Sequence, residues 1–277
     1  MPELPEVEIA RRQLARWSAG GRVQSVRIED VAVVRRKRST RPSDADPAGP
    51  STLRRELVGR RMSTPVRVGK RLGWPLDEGR GLQVHLGMTG LWVRRDGDQI
   101  PRFGRWGLKI NDRWLWFVDA RRFGCVVLSQ RLTADLQEGL GPDALDFPIT
   151  GEELGQRLRG RRVVKVALMD QSVLAGLGNI QAAEALWRAG VHPDQRCVDL
   201  SADQLERLAA EIPRQLAECV QSQDTEEMHY LTQGGDNPFC VYGRDGQACV
   251  RCGSTVAKGR HGGRATFWCP ACQPSPG

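Results

Sequence analysis

Four cysteines near the end of the chain constrain its fold more than any other feature of the sequence. Cys249, Cys252, Cys269 and Cys272 have the spacing C-x2-C-x16-C-x2-C. Each C-x2-C pair forms a tight knuckle that can point both thiolates at one ion, and four sulfur ligands leave tetrahedral zinc no open coordination position. The spacing therefore predicts one structural Zn2+ ion, with a β-hairpin between the two knuckles.

The predicted hairpin, STVAKGRHGGRATFW, carries basic residues near its turn: Lys258, Arg260, His261 and Arg264. A basic hairpin held by zinc could enter a nucleic-acid groove, whereas a solvated turn is the simpler alternative. The other cysteines lack metal-ligand spacing, so we expect them to be core or surface thiols: Cys125, Cys197, Cys219 and Cys240.

The charge balance favours a polyanionic partner. The 277 residues include 41 basic and 33 acidic side chains, for a net charge of +8. Such an excess most often indicates nucleic acid, although an ordinary solvated surface is the alternative. No stretch approaches the length of a membrane-spanning helix, and the N-terminus lacks a signal-peptide pattern. We therefore expect a cytoplasmic protein, in which cysteines favour metal ligation or free thiols over disulfides.

Composition divides the chain into three predicted domains. Residues 1–130 begin with a helix over 6–17 and continue with short strand-like runs separated by Gly and Asp turns. Within this part, residues 35–52 are rich in charge, Pro and Ser, which predicts an exposed loop. Residues 131–235 show helical periodicity, and residues 236–277 are Gly- and Cys-rich.

The first residues, MPELPEVE, offer a nucleophile. If Met1 is removed, Pro2 carries a secondary α-amine. Such amines have pKa values of about 7.7–8.0, against about 10.4 for lysine, so about a tenth is neutral near pH 7. A neutral amine attacks aldehyde-like carbons to give an iminium, and Glu3 and Glu6 lie close enough in sequence to move protons. The alternative is that the proline only marks a processed terminus.

A glycine-rich segment precedes one predicted helix. Gly176, Gly178 and Asn179 lie just before the apolar pattern NIQAAEAL. Backbone N–H groups at a helix start can bind phosphate, and small residues allow close approach. A plain helix cap is the more common explanation of such a segment.

Five motifs together resemble the formamidopyrimidine-DNA glycosylase / endonuclease VIII family, in the order of its landmarks. They are PELPEVE at 2–8, HLGMTG at 85–90, DARRFG at 119–124, LMDQSVLAGLGNIQAAEAL at 168–186 and RATFWCPAC at 264–272. The resemblance implies an α+β multidomain fold: an N-terminal β-sandwich with flanking helices, a helix–two-turn–helix domain and a C-terminal zinc finger.

The resemblance also implies a bifunctional DNA glycosylase and abasic-site lyase of base excision repair. It would act as a monomer on double-stranded DNA containing damaged bases or abasic sites, in the bacterial nucleoid. Pro2 would be the nucleophile, Glu3 the acid, Glu6 a supporting residue and Lys70 a phosphate contact beside the lesion. Other matching positions would bind DNA, and Met88, Arg121 and Phe123 among them would fill the hole left by a flipped nucleotide: Met88, Arg121, Phe123, Lys165, Asn179 and Arg264. Glu184 matches a further family position.

Some positions depart from the family pattern. Gln181 replaces a tyrosine, Trp74 and Pro75 are unusual after Lys70, and the segment before VYGR is shorter than the loop that caps 8-oxoguanine in related enzymes. Two other functions remain open: a catalytically silent protein that binds damaged DNA, and a zinc-ribbon transcription-associated factor. Pro2 and Glu3 favour the enzyme, because a protein that only binds DNA needs neither.

Overall fold

The computed structural model describes residues 2–77, 79–225 and 237–276. Within these residues the chain forms two compact units. The first unit contains residues 2–138 and 223–225, and the second contains residues 139–222 and 237–276. The predicted hairpin and most of the predicted helices thus belong to the same compact unit.

The first unit is a β-sandwich with helices around it, as the resemblance implies. One antiparallel sheet has the order β1-β6-β7-β5, and the other has the order β2-β3-β4-β8. The strands are β1 (Val23–Ile28), β2 (Val66–Val68), β3 (Arg71–Pro75), β4 (Gly81–His85), β5 (Leu91–Arg95), β6 (Gly104–Ile110), β7 (Arg113–Val118) and β8 (Cys125–Ser129). The helices are α1 (Leu4–Ser18), α2 (Gly49–Leu57) and α3 (Leu132–Gln137).

Tryptophans fill the space between the two sheets. The Trp92 ring packs edge-on against Trp106, with ring centroids 5.1 Å apart, and against Trp74 at 6.2 Å. All three side chains are fully buried, and the Trp74 indole N–H donates to the Ser63 carbonyl oxygen across 2.7 Å. The unusual Trp74 is therefore a core residue whose one polar group has a partner.

The expectation of an exposed loop over residues 35–52 is wrong at both ends of the segment. Arg35 is buried, and its backbone N–H donates to the carbonyl oxygen of Val126 in β8 across 3.0 Å. At the other end, α2 begins at Gly49 and buries Leu53 and Leu57. Apolar residues outside the polar stretch anchor it to the sandwich, a long-range effect that local composition does not reveal.

The second unit combines helices with a β-hairpin. Thr150 and Glu153 form a capping box at the start of a helix, because each side chain accepts a hydrogen bond from the other's backbone N–H, at 3.2 and 2.9 Å. The elements are α4 (Gly151–Arg157), α5 (Val164–Leu168), α6 (Asn179–Ala189), α7 (Ala202–Gln223), β9 (Ala257–His261) and β10 (Arg264–Trp268). None of the helices in the described part of the chain is both long and apolar enough to cross a bilayer.

Candidate active site and nucleic-acid interface

The N-terminal motif forms the start of α1. Pro2, Glu3 and Glu6 are all buried, although chain termini are usually exposed. The backbone N–H of Glu3 donates to the Glu6 carboxylate across 2.8 Å, which holds the two acidic residues in one turn. The structure therefore places two carboxyl groups beside the residue that would carry the α-amine.

The environment of Glu6 favours its protonated form. Burial raises the pKa of the Glu6 carboxyl, and the nearby charge of Glu3 raises this pKa further. Glu6 can therefore keep a proton at a pH where an exposed glutamate is ionised. An acid pair in which one member retains a proton is suited to moving protons to and from a reacting group.

A buried ion pair connects this helix to the turn that contains Lys70. The Arg67 side chain is 1% exposed and donates to the Glu8 carboxylate across 3.1 Å. Arg67 also donates to the carbonyl oxygen of Gly69, next to Lys70 in the half-buried β2–β3 turn. Sequence reasoning missed Arg67 and Glu8, although Glu8 ends the PELPEVE motif, because 59 residues separate the two.

Glu8 is held in its ionised form. Burial alone would raise its pKa, but hydrogen bonds from Arg11 and Arg12 and the charge of Arg67 lower the pKa of the Glu8 carboxyl to about 2. Arg11 donates two short hydrogen bonds to this carboxylate, at 2.7 and 2.8 Å, and Arg12 donates one at 2.8 Å. The carboxylate is thus a stable anchor between α1 and the Lys70 turn rather than a group that exchanges protons near neutral pH.

Two loops that connect the sheets meet at one end of the second sheet and carry Met88, Arg121 and Phe123. Met88 follows β4, while Arg121 and Phe123 lie between β7 and β8, and β4 pairs with β8 through His85 and Cys125. The Arg121 guanidinium lies 4.9 Å from the centroid of the Phe123 ring, within the range of a cation–π interaction. The structure therefore brings these three predicted DNA-binding residues to one edge of the sandwich.

Hydrogen bonds and a close backbone contact connect the two loops. Asp119, which is 1% exposed, accepts hydrogen bonds from the Thr89 hydroxyl at 2.6 Å and from the backbone N–H of Gly124 at 2.7 Å. Gly87 has a φ of +67°, and a Cβ there would lie 2.5 Å from the Gly124 nitrogen. Only glycine fits this approach without displacing the loop of residues 119–124.

In the second unit, a buried lysine joins two predicted DNA-binding segments. Lys165 on α5 is fully buried, and its ammonium donates to Asn179 Oδ1 and to the hydroxyl of Thr266 on β10. Asn179 in turn donates to the Ala265 carbonyl oxygen across 3.0 Å, and Arg264 beside it is exposed at the hairpin turn. The structure thus brings Asn179 and Arg264 together, with Lys165 beneath them.

Glu184 anchors the chain that leads into the hairpin. It is 3% exposed, and its carboxylate accepts hydrogen bonds from the backbone N–H groups of Cys240, Val241 and Tyr242, at 2.8, 3.0 and 2.8 Å. A glutamate that satisfies three successive N–H groups holds the backbone in place. The predicted short cap over the base pocket belongs to the segment of residues 230–240 before VYGR, and residues 230–236 of this segment lie outside the described residues.

Gln181, which stands where the family pattern has a tyrosine, is buried inside the second unit. The Gln181 side chain is fully buried on α6, where its amide oxygen accepts a hydrogen bond from the Gln215 amide of α7. Its own amide nitrogen lies 3.6 Å from the sulfur of Cys219. In this chain the position supports helix packing with a polar pair between α6 and α7.

The four cysteines of the C-terminal motif converge as predicted. Their sulfur atoms all lie within 4.8 Å of one another. The Cys249–Cys272 and Cys252–Cys269 sulfurs are 3.9 and 3.4 Å apart. A tetrahedral ion with Zn–S bonds of about 2.3 Å holds its sulfurs about 3.8 Å apart, so the donor set fits structural zinc.

Three family models match successive parts of the chain. The formamidopyrimidine-DNA glycosylase N-terminal domain matches residues 1–126, and the H2TH domain of the same enzymes matches residues 140–229. The zinc finger found in FPG and IleRS matches residues 246–274. The matches follow the chain in the order of the motifs.

Known proteins resemble the whole chain. Formamidopyrimidine-DNA glycosylase of Acidothermus cellulolyticus is 37% identical over 289 residues, covering 100% of this chain and 98% of that protein. The Lactococcus lactis Fpg, in a complex with DNA containing an abasic site, matches with a TM-score of 0.84 and 27% identity. MutM in complex with DNA containing carbocyclic 8-oxo-G also matches with a TM-score of 0.84, at 28% identity. Each of these two structural matches covers 99% of this chain and 100% of the other.

Proposed function

Because the chain belongs to the formamidopyrimidine-DNA glycosylase family, we propose that it is a bifunctional glycosylase and abasic-site lyase acting on damaged duplex DNA. The observation that carries this proposal is the buried group of Pro2, Glu3 and Glu6, in which two carboxyl groups flank the residue that bears the α-amine once Met1 is removed. A protein that only binds damaged DNA needs no such group.

The proposed reaction begins when the damaged nucleotide leaves the base stack, since its C1′ atom cannot be reached inside the duplex. The Pro2 nitrogen attacks C1′, the glycosidic bond breaks and the base departs with a proton. Glu3 assists opening of the sugar ring, and the Glu6 carboxyl supports this proton transfer. The product is an iminium between Pro2 and C1′.

The iminium also accounts for strand cleavage. It withdraws electrons from the sugar, so the C2′ proton becomes acidic; water accepts this proton as the C3′–O bond breaks and the phosphate leaves on the 3′ strand. Loss of the C4′ proton to water then drives a second elimination, which breaks the C5′–O bond and completes the β,δ-elimination. Water finally hydrolyses the iminium and frees the Pro2 amine.

The remaining site residues would hold the DNA. We assign phosphate contacts to Lys70 in the first unit and to Asn179 and Arg264 in the second, with Lys165 acting through Asn179. Met88, Arg121 and Phe123 would occupy the hole left by the flipped nucleotide, since apolar side chains wedged between bases stabilise such distorted DNA. The zinc site would keep Arg264 at the hairpin turn.

Trapping with borohydride on abasic-site DNA tests the proposal, because borohydride reduces an iminium to a stable covalent adduct. Chain with a processed N-terminus should form the adduct, and Pro2→Gly should retain part of this activity because it keeps an α-amine. A matched chain with an N-terminal extension should form none. Equal trapping by the extended chain would exclude Pro2 as the nucleophile.

The lesion preference is a separate part of the proposal. A shorter cap offers fewer buried polar groups to an oxidised purine, and discrimination depends on such groups being left unpaired by the wrong base. We expect slow excision of 8-oxoguanine and faster action on ring-opened purines, oxidised pyrimidines and abasic sites. Duplexes carrying each lesion, assayed with one preparation, test this, and 8-oxoguanine excision as fast as any other would contradict it.

A further inference from the structure

Arg35 stands out among the side chains that the proposed reaction does not use. It is 2% exposed, and its guanidinium donates to four backbone carbonyl oxygens, those of Ala32, Ser39, Arg122 and Gly124. Burying a charged group is unfavourable unless its donors find partners. The rigid fork of a guanidinium lets one side chain connect several backbone segments at once.

Two of these acceptors lie in the loop of residues 119–124. Arg35 donates to the carbonyl oxygen of Arg122 at 3.1 Å and to that of Gly124 at 3.2 Å. These carbonyls are on either side of Phe123. Arg122 has a φ of +61°, which is unfavourable for a residue other than glycine. The Arg122 side chain adds a second restraint, since it bonds Asp30 at 2.7 and 2.9 Å.

The start of the same loop has its own restraints. Arg105 donates to the Asp119 carbonyl oxygen across 2.7 Å, and the Asp119 carboxylate accepts from the backbone N–H of Arg121 at 3.2 Å. The end of the loop is held by the bonds from Arg35. Hydrogen bonds within the chain therefore hold the backbone on both sides of Arg121 and Phe123.

We propose that Arg35 is a positioning residue that preorganises Arg121 and Phe123 to fill the hole left by a flipped nucleotide. This inference rests on the proposed function. Opening a base step costs free energy, and ordering a free loop at the same time would add a further entropic cost for each residue of the loop. A loop ordered in advance avoids that second cost. The side chains of Arg121 and Phe123, here called the wedge, can then enter the base stack with the conformation they already have.

The experiment compares Arg35→Met with Arg36→Met, a neighbouring arginine that is exposed. Each chain is assayed on single-stranded abasic DNA, duplex abasic DNA and a duplex with a damaged base. Single-stranded DNA has no opposite base and no stack to open. Arg35→Met should trap single-stranded abasic DNA at the wild-type rate but excise the damaged base from duplex at least about tenfold more slowly. Arg36→Met should match wild type on all three.

A second readout needs no catalysis. With 2-aminopurine opposite a tetrahydrofuran abasic analogue, insertion of the wedge unstacks the fluorescent base and raises its emission. The rise should be largely lost in Arg35→Met and kept in Arg36→Met, with zinc content and thermal unfolding measured for each chain. If Arg35→Met does not fold, Arg35→Lys keeps the positive charge without the planar guanidinium. It should show the same selective loss of duplex excision and of the fluorescence rise.

The outcomes separate this inference from its premise. Failure of the wild-type chain to trap any abasic DNA would overturn the proposed function, while the 2-aminopurine signal would still test Arg35. Wild-type duplex excision and wild-type fluorescence in folded Arg35→Met or Arg35→Lys would overturn the positioning role. An equal loss on single-stranded and duplex DNA would also overturn it, because that result indicates general damage to the active site.

Discussion

The ammonium of Lys165 donates to the hydroxyl of Thr266 across 2.9 Å, which joins a short helix to the second strand of the zinc hairpin. The same ammonium bonds Asn179 Oδ1 at the first residue of α6. One buried cation therefore sets the distance between the two segments that we assign to DNA phosphates. Lys165 should therefore affect DNA binding by holding these two segments in position.

Replacing Lys165 should weaken both stability and DNA binding. Lys165→Met removes the donor to Asn179 and Thr266 and leaves their oxygens with one partner fewer, which costs about 1–3 kcal/mol for buried groups. Affinity for abasic-site duplex should fall, as measured by anisotropy, and urea unfolding should report the loss of stability. Lys258→Met, an exposed lysine of the same hairpin that pairs with Asp245, is the control and should preserve stability. Wild-type affinity and stability in Lys165→Met would contradict the prediction.

Removing a zinc ligand should affect the second unit selectively. Cys269→Ser should lose the metal and disorder the hairpin with Arg264, since small metal sites fold only with their ion. Metal analysis and DNA affinity give the two readouts, and Cys219→Ser, which is outside the zinc motif, is the control. The larger part of the native tryptophan fluorescence should persist, because only Trp187 and Trp268 lie in the second unit and the other six tryptophans lie in the first: Trp17, Trp74, Trp92, Trp106, Trp114 and Trp116. One zinc per chain in Cys269→Ser would refute the assignment.

The Glu8 carboxylate, held by hydrogen bonds from Arg11 and Arg12 and by the charge of Arg67, should make the free energy of unfolding depend on pH in the acidic range. The pKa of Glu8 falls from 4.5 to about 2 on folding, so the folded chain binds fewer protons than the unfolded chain in this range. The resulting stabilisation is complete above pH 4.5 and is lost as the pH falls toward 2; it amounts to about 3 kcal/mol. The free energy of unfolding of the wild type should therefore exceed that of Glu8→Gln most above pH 5. Urea unfolding followed by tryptophan fluorescence should show this difference shrink at lower pH. A pH-independent difference would exclude the linkage.

Gly87 allows a test of the contact between the two loops. Gly87→Ala combines a positive φ with a Cβ 2.5 Å from the Gly124 nitrogen, whereas Gly97 has a φ of +71° and open space around it. Gly97→Ala should lose only the stability that a left-handed backbone conformation costs an alanine, roughly 1–2 kcal/mol. Gly87→Ala should lose more and should also slow excision from duplex DNA, because the loop of Arg121 and Phe123 must move. Equal stability and activity in the two variants would show that the close approach is unimportant.

Local sequence determined several parts of this protein. The spacing of Cys249, Cys252, Cys269 and Cys272 predicts the metal site because both C-x2-C knuckles are short, self-contained turns. The short strand-like runs between Gly and Asp turns predict the strands of the first unit, and Thr150 with Glu153 three residues later provides the side chains of a helix start. Each of these features depends on residues a few positions apart, so the chain carries the necessary geometry in its local order.

Tertiary structure alone decided which charged residues are buried and with whom they pair. Arg67 meets Glu8 across 59 residues, and Lys165 meets Thr266 across 101. Arg35 lies in a stretch whose composition predicts an exposed loop, yet it is buried because Val126 pairs with its backbone and the loop of residues 119–124 offers it carbonyl groups. Charge and spacing along the chain do not encode such pairings, since the free energy of burying a cation depends on acceptors that only the folded chain brings within reach.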